Sequence, residues 1–344
     1  MNTTNTVNRR ILLARRPDGV PVPEDFKTVA EPIPTVKPDQ ILLRTLYLSL
    51  DPYMRGRMNE GRSYVEPLAI GDTMCGQVVC RVLQSNDAKF KSGDLVLANT
   101  GWQEYAVANA SELNKLDPAM NRPSYALGVL GMPGFTAYVG LLDIGQPKAG
   151  ETVVVTAATG AVGAVVGQIA KMKGCRTVGI AGGAEKCAFA VETLGYDACV
   201  DHHAADFPQL LANACPKGID VYFEGVGGAV LAGALPLLNP HARVPLCGLV
   251  AYYNMKSLPV GADHVPVLLR QMLVNRIKVQ GFIIFDHYEA RQADFLRDMS
   301  AWVRDGKIKY REEVLEGLQT APSGLIGMLR GDNFGKLVVK VADG

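Results

Sequence analysis

The fold is decided by the stretch Val153-Val154-Val155-Thr156-Ala157-Ala158-Thr159-Gly160-Ala161-Val162-Gly163-Ala164-Val165-Val166-Gly167-Gln168-Ile169-Ala170-Lys171. It opens with apolar, β-branched residues, the pattern of a buried parallel strand, and continues with apolar residues at helical spacing. The turn between them reads Ala158-x-Gly160-x-x-Gly163, a dinucleotide fingerprint with alanine in the first glycine position. Gly160 would let the backbone approach a pyrophosphate, and Gly163 would let the helix pack closely. A turn that serves packing alone is the alternative, but the strand before it and the helix after it favour nucleotide binding.

The second apolar run, Arg176 to Ala181, predicts which nucleotide is bound. A site for NAD needs an acidic residue at the end of this strand, where it binds the ribose 2′-hydroxyl. This chain instead has Gly182-Gly183-Ala184, with Lys186 close behind. The missing carboxylate and the nearby ammonium favour NADPH over NADH, with Lys186 at the 2′-phosphate.

Composition limits the class of protein. The 344 residues suggest two domains, and 48% hydrophobic against 20% charged residues can bury a sizeable core. A formal net charge of +1 gives no electrostatic reason to expect nucleic acid or an anionic membrane surface as a partner. The opening residues lack the apolar segment of a secretory signal, and the seven cysteines are dispersed, so we expect reduced thiols and a cytoplasmic protein.

Residues 1 to about 125 are predicted to be mostly β. Strand-like runs at 41–50, 77–83 and 94–98, separated by turns rich in glycine and proline, predict a small, partly open barrel. From about 127 to 310, apolar strands alternate with helical stretches such as Val265 to Asn275 and Tyr288 to Asp305. Six strands with crossover helices make a doubly wound parallel sheet. The run Lys336 to Lys340 returns to β character and is expected to rejoin the first domain.

Several local strings resemble one known family. They are Ser49-Leu50-Asp51-Pro52-Tyr53-Met54-Arg55-Gly56, Gly131-Met132-Pro133-Gly134-Phe135-Thr136-Ala137-Tyr138, Ala181-Gly182-Gly183-Ala184-Glu185-Lys186-Cys187, Tyr252-Tyr253-Asn254 and Gly331-Asp332-Asn333-Phe334-Gly335-Lys336. Together with the glycine turn they resemble the medium-chain dehydrogenase/reductase superfamily. Within it they resemble the leukotriene B4 dehydrogenase/prostaglandin reductase group, and best its bacterial branch similar to NADPH-dependent curcumin reductase.

The resemblance implies an α/β fold with a Rossmann doubly wound parallel sheet and a GroES-like, partly open β-barrel. The barrel, residues 1–126 and 311–344, would be the substrate and catalytic domain, and residues 127–310 the NADP-binding domain. The residues that would bind the cofactor are Met132, Thr136, Gly160, Ala161, Val162, Gly163, Gly182, Lys186, His202, Val226, Cys247, Gly248, Leu249, Tyr253, Phe282, Ile283, Ile284 and Asn333. The residues that would contact the substrate are Tyr53, Tyr64 and Tyr253.

Two positions depart from the family pattern. The family often has tyrosine where this chain has His202, and asparagine where it has Gly225. Gly225 has no side chain, so an amide contact there is lost or replaced by backbone. We expect His202 and His203 to be surface imidazoles that point apart, because sequence neighbours do so on most backbones.

The sequence argues against a metal site and against acyl transfer. Zinc members of the superfamily use cysteine, histidine and glutamate ligands, but residues 1–125 contain no histidine and only Cys75 and Cys80. The other histidines, at 202, 203, 241, 264 and 287, are dispersed, and no Gly-x-Ser-x-Gly elbow occurs. Reduction of an activated C=C bond fits better, because a phenol can stabilise the enolate oxygen that hydride addition creates.

Tyr253 is the first candidate for that phenol and Tyr53 the second, with Tyr64 and Tyr252 as competitors. The predicted function is zinc-independent, NADPH-dependent reduction of the C=C bond of small-molecule enones, including curcumin-like and 15-oxo-prostaglandin-like ones. A quinone reductase, or a cofactor-binding regulatory protein without turnover, is the alternative. The strand near Lys278 to Ile284 would be an exposed apolar edge, so we expect a homodimer.

Overall fold

The computed structural model describes residues 7–61, 63–257 and 265–343, so His264 lies outside the described residues. The chain divides into two compact units. One comprises Met1–Gly128 and Glu312–Gly344, and the other comprises Val129–Arg311.

The first unit is mostly β. Its first strands are β1 Val7–Leu13, β2 Phe26–Pro32, β3 Gln40–Ser49, β4 Val78–Ser85, β5 Leu95–Ala98, β6 Tyr105–Asn109 and β7 Asn114–Lys115, with the short helix α1 Tyr53–Arg57 between β3 and β4. The second unit contains helix α2 Met132–Val139, strand β8 Thr152–Val155, helix α3 Gly163–Met172, strand β9 Arg176–Ala181, helix α4 Ala184–Glu192, strand β10 Ala198–Asp201, helix α5 Phe207–Ala214, strand β11 Ile219–Phe223, helix α6 Gly228–Ala234, strand β12 Leu238–Leu246, helix α7 Val265–Asn275, strand β13 Lys278–Gly281 and helix α8 Tyr288–Arg304. The chain then adds β14 Glu312–Glu316, α9 Ala321–Arg330 and β15 Lys336–Lys340 to the first unit.

The large sheet of the first unit is built around β3. Its order is β14-β15-β3-β4-β5-β7, and β6 also pairs with β3. β15 runs antiparallel to β3, with Val338 opposite Ser49, and β14 runs parallel to β15. The inward side chains of these strands, with Trp102 and Leu325 of α9, form one apolar core. The C-terminal strand therefore lies inside this sheet, paired on both sides.

The second unit carries a six-stranded sheet in the order β10-β9-β8-β11-β12-β13, with every pair parallel. The order reverses between β8 and β11, the switch point where doubly wound sheets bind ligands. The predicted class, a doubly wound parallel sheet with a separate and largely antiparallel β unit, is confirmed.

Two strand predictions need correction. β12 begins at Leu238, earlier than the expected Ala242, and β13 ends at Gly281, before the expected Ile284. Phe282 N–H still donates to Leu246 O at 3.3 Å, but the chain then enters a short 3₁₀ turn, Ile284–His287, that leads into α8. The apolar run thus ends as a connection and not as a strand. Within the described residues, no helix combines the length and apolarity needed to cross a membrane.

Candidate functional site

The predicted cofactor residues of the second unit follow its parallel strands. Gly160–Gly163 follow β8, Gly182 and Lys186 follow β9, and His202 follows β10. Val226 follows β11, and the segment Cys247 to Tyr253 follows β12. Because the strands are parallel, these loops all emerge at the carboxyl edge of one sheet.

The turn after β8 is tight. Ala157 has a left-handed backbone (φ 47°), and its carbonyl accepts Gly160 N–H at 2.8 Å. A Cβ on Gly163 would collide with the Ala157 carbonyl and lie 3.0 Å from the Ala158 Cα. The strained turn residue is thus Ala157, one position before the Ala158 of the predicted fingerprint. Gly163 lets α3 begin directly against the turn, which aims the helix N-terminus at this edge.

A second close approach holds α3 in place. The ring of Tyr196 crosses Gly167, where a Cβ would collide with it, and Tyr196 O–H donates to Gly163 O at 2.7 Å. Tyr196 is buried. The ring therefore packs where an alanine side chain would otherwise sit.

The end of β9 carries no acidic side chain of its own. Gly182 and Gly183 lead directly into α4, whose first turn contains the half-buried Lys186. The Asp201 carboxylate lies at the end of the neighbouring β10. It accepts the N–H groups of Gly183 and His203, both at 2.9 Å. These bonds lower the pKa of Asp201 and commit its Oδ1 atom to the backbone.

The expectation that His202 and His203 point apart is wrong. Their rings lie 4.1 Å apart, centroid to centroid, and are tilted by 35°. The residues sit in a turn after β10, where the alternation of a strand no longer applies. Both rings face Gly182, and both residues are exposed.

The loops after β11 and β12 are joined to each other. Val250 N–H donates to Gly225 O at 3.2 Å, and Ala251 N–H donates to Val226 O at 2.9 Å. The buried Glu224 accepts the N–H groups of Val226 and Gly227 at 2.6 and 3.0 Å. Burial raises the pKa of Glu224, although these bonds oppose the shift.

Gly225 and Cys247 lie side by side within these joined loops. Gly225 N–H donates to Thr156 Oγ1 at 2.9 Å, and a Cβ on Gly225 would lie 3.5 Å from Cys247 Sγ. Burial raises the pKa of Cys247 to about 12, so its thiol stays protonated. It donates to Glu224 O at 3.2 Å.

Tyr252 and Tyr253 occupy different environments. Tyr252 covers Gly227, and its phenol oxygen accepts Gly228 N–H at 2.9 Å at the start of α6. Tyr253 turns back over its own loop, where its oxygen lies 3.4 Å from Leu249 N and close to Gly248. Burial raises the pKa of Tyr253, so the phenol is protonated at neutral pH. Tyr252 therefore caps helix α6, whereas the Tyr253 ring lies along the loop from Cys247 to Tyr253.

The remaining predicted cofactor residues of this unit lie on α2 and after β13. Thr136 Oγ1 donates to Met132 O at 2.9 Å within α2. Phe282 packs against Gly140, where a Cβ would approach its ring to 2.7 Å. Ile283 is half-buried and Ile284 is fully buried, so the latter is part of the core.

Tyr53 begins helix α1 in the first unit. Burial raises the pKa of its phenol well above the usual value, and Asp51, Cys75 and Tyr64 add to the shift while Arg57 opposes it. Tyr64 is exposed. Burial also raises the pKa of Cys75 to about 11, so this thiol is a poor nucleophile at neutral pH.

A buried ionic network lies at the residues that directly precede helix α1. Lys336 Nζ donates to Ser49 Oγ, Leu50 O and Asp51 Oδ1 at 2.6, 2.8 and 2.7 Å. Ser49 Oγ in turn donates to Asp51 Oδ2. Asn333, predicted near the cofactor phosphates, lies in the same unit and donates to Gly335 O at 2.9 Å.

Among the described residues, no group of three or more histidine, cysteine, aspartate or glutamate side chains converges on one point. The structure suits a dinucleotide, because the turn at Gly160–Gly163 leaves no room for further side chains and the end of β9 combines small residues with the cationic Lys186.

Two features of the site were not anticipated from sequence. One is the position of the His203 ring beside Gly182, although its place directly after the third parallel strand is a signal for the carboxyl edge. The other is the burial of Lys336, although a lysine that opens an apolar strand points to a buried partner.

The comparisons with known proteins agree with this geometry. Residues 9–116 match a family model described as the N-terminal domain of oxidoreductase, and residues 161–300 match one described as zinc-binding dehydrogenase. The chain is 57% identical over 335 residues to NADPH-dependent curcumin reductase of Escherichia coli K12, with 97% of each chain covered. It is 39% identical over 326 residues to prostaglandin reductase 1 of Bos taurus, which covers 94% of this chain and 95% of the bovine one.

A crystal structure of CurA in complex with NADPH from Vibrio vulnificus superposes with a TM-score of 0.95 at 56% identity. It covers 98% of this chain and 100% of that one. The likeness thus extends across both units.

Proposed function

Because the chain belongs to the medium-chain dehydrogenase/reductase superfamily, and within it to the leukotriene B4 dehydrogenase/prostaglandin reductase group, we propose that it reduces the C=C bond of α,β-unsaturated ketones and aldehydes with NADPH. The bacterial relative is named for NADPH-dependent reduction of curcumin, and the bovine relative for prostaglandins. The observation that carries the proposal is that the glycine turn after β8 and the protonated phenol of Tyr253 lie at the same carboxyl edge.

The cofactor would be held by the loops of this edge. Gly160 to Gly163 and the start of α3 offer backbone N–H groups to the pyrophosphate. Gly182 and Gly183 present no carboxylate to a 2′-phosphate, and Lys186 would donate a charge-assisted hydrogen bond to it. The loop from Cys247 to Tyr253 would line the nicotinamide half, together with Met132, Thr136 and Phe282.

The residues of this chain would stabilise the charge that the reaction creates. Bound NADPH would supply a hydride to the β carbon of the enone, and negative charge would develop on the carbonyl oxygen as the enolate forms. A proton from solvent would then add to the α carbon and give the saturated carbonyl product. The Tyr253 O–H, kept protonated by burial, would donate a hydrogen bond that strengthens as that charge grows. This role needs no proton transfer from the phenol and no metal ion, in keeping with the donor set of the described residues.

Substitution of tyrosine by phenylalanine tests the role. Tyr253→Phe should lower kcat roughly 10²-fold or less, the lower end of losses from oxyanion donors, with little change in the affinity for NADPH. Tyr252→Phe is the matched neighbour, and we expect it to cost about 1 kcal/mol of stability through the lost α6 cap. If Tyr253→Phe retains kcat but loses NADPH binding, the phenol is a cofactor contact. If Tyr253→Phe retains both and Tyr53→Phe is inactive, the donor is Tyr53.

A panel of acceptors tests the reaction itself. Purified protein should consume NADPH with enals and enones and yield the saturated carbonyl product. Faster turnover of quinones than of any enone would favour a quinone reductase, and no turnover with either would favour a regulatory protein.

Cofactor choice is tested separately. We expect a clear preference for NADPH in kcat/KM, and Lys186→Ala should weaken NADPH binding far more than NADH binding. Equal kcat/KM for the two cofactors in the wild-type protein would contradict this assignment.

A further inference from the structure

His202 and His203 place two imidazoles at the point where the 2′-phosphate is proposed to bind. Their Nε2 atoms lie 3.1 and 2.8 Å from the position that a Cβ on Gly182 would occupy. The two rings are tilted against each other and fill the space beside the glycine that follows β9. A tyrosine, which the family often has at the first of these positions, does not titrate near neutral pH, whereas imidazoles do.

We propose that His202 and His203 form a protonatable pair that binds the 2′-phosphate together with Lys186, an inference that rests on the proposed function. The preference of this chain for NADPH over NADH would then increase as the pH falls.

The charges around the pair explain why it responds to an anion. Partial desolvation lowers the pKa of His202, and the nearby His203 and Lys186 lower it further, while Asp201 on β10 opposes the shift. Asp201 Oδ1 is already engaged by two backbone N–H groups. Two imidazolium groups at this separation repel each other, so the free protein resists holding both protons.

A bound 2′-phosphate reverses that balance. It carries a charge of about −1.5 to −2 near neutral pH, and this charge would favour the protonated form of the two imidazoles. NADPH binding would therefore take up protons from solvent, and NADH binding would not, because its ribose hydroxyl is uncharged. By linkage, affinity for NADPH falls as the pH rises through the imidazole pKa values of the complex, by up to about tenfold per pH unit for each proton taken up.

Calorimetric titration of the full chain with NADP⁺ and with NAD⁺ measures this coupling directly. Titrations in two buffers of different ionisation enthalpy give the number of protons bound. We expect uptake with NADP⁺ and none with NAD⁺. The dissociation constant of NAD⁺ divided by that of NADP⁺ should fall on the order of tenfold from about pH 6 to about pH 8.

Glutamine variants identify the source of the protons. In His202→Gln/His203→Gln, proton uptake should disappear. The residual pH trend should reverse, because the phosphate itself ionises near pH ~6 and binds Lys186 better above it. Each single variant should retain part of the effect. His241→Gln, on β12 and in contact with Arg276, is the matched control and should behave as wild type. Unchanged NAD⁺ affinity in the double variant shows that its fold is intact.

The possible failures are distinguishable. If wild type prefers NADP⁺ but the ratio does not depend on pH, or if the double variant keeps the wild-type slope, the histidine pair is not the device. If wild type shows no preference for NADP⁺ at any pH, the proposed cofactor is wrong, and this inference fails with it.

Discussion

Replacing Lys336 with methionine should destabilise the first unit more than any surface substitution in it. The Lys336 and Asp51 side chains are 1% and 7% exposed, and the ammonium makes three hydrogen bonds. Methionine keeps most of the apolar stem but leaves the Asp51 carboxylate buried without its cation. We expect a loss of about 3–5 kcal/mol in the free energy of unfolding, the usual cost of breaking a buried ion pair from one side.

Substitution of the other partner, Asp51→Leu, should cost a similar amount, because it leaves the Lys336 ammonium buried without its carboxylate. The double variant Lys336→Met/Asp51→Leu removes both charges and leaves the Ser49 hydroxyl and the Leu50 carbonyl without these partners, at a cost of about 1–3 kcal/mol. The two single losses would sum to about 6–10 kcal/mol, so the cycle should show a coupling of several kcal/mol.

Fluorescence can report on this unit by itself. The chain has two tryptophans, and Trp102 is buried in the first unit, so a Trp302→Phe background isolates its signal during urea unfolding. Lys340→Met is the matched control, since Lys340 pairs with Asp343, whose side chain is 93% exposed. We expect that control to change stability by about 0.5 kcal/mol or less. A Lys336→Met loss no larger than the control, or strict additivity in the cycle, would refute the reasoning.

Three further outcomes are expected. Gly163→Ala should cost about 1–3 kcal/mol of stability and weaken NADPH binding, because its Cβ would meet the Ala157 carbonyl. Ala157→Gly should be neutral or stabilising by about 1 kcal/mol, because Ala157 has a left-handed backbone. Thermal melts that rank the two variants in the reverse order would contradict the geometry. Exhaustive chelation should leave enone reduction unchanged, and activity lost to a chelator and restored by zinc would overturn the metal-free mechanism. The protein should sediment as a homodimer, because β13 is the edge strand of its sheet and helix α7 exposes apolar side chains, with Leu273 79% exposed. Leu273→Glu should weaken the dimer, and a wild-type monomer at all concentrations would refute this expectation.

The carboxyl edge was predictable from sequence because its residues follow strands of one parallel sheet. Once β8 to β13 are recognised, topology alone brings Gly160, Gly182 and Tyr253 to the same edge. The return of the tail strand to the first unit was predictable for a related reason, since a short apolar run after the last long helix needs a sheet to join, but its partner β3 was not predicted.

Contacts between side chains were not predictable in the same way. Lys336 and Asp51 are 285 positions apart, and no periodicity links them. The stacking of His202 on His203 depends on a turn whose dihedral angles the sequence does not specify. Ala157, and not Ala158, takes the left-handed conformation because the pairing of β8 with its neighbours sets where the turn begins.

The position of β15 inside the large sheet also bears on how the chain folds. Residues Val129–Arg311 form a continuous segment and have all their sheet partners once that segment has been synthesised. The other unit lacks β14 and β15 until those strands are synthesised. The pairing of β15 with β3 then closes a loop of nearly 300 residues, and β14 joins the sheet through β15. We therefore expect the parallel sheet to form first during synthesis and the β unit to complete its folding later. Until β15 pairs with β3, the β3 edge is exposed to chaperones or to misassembly.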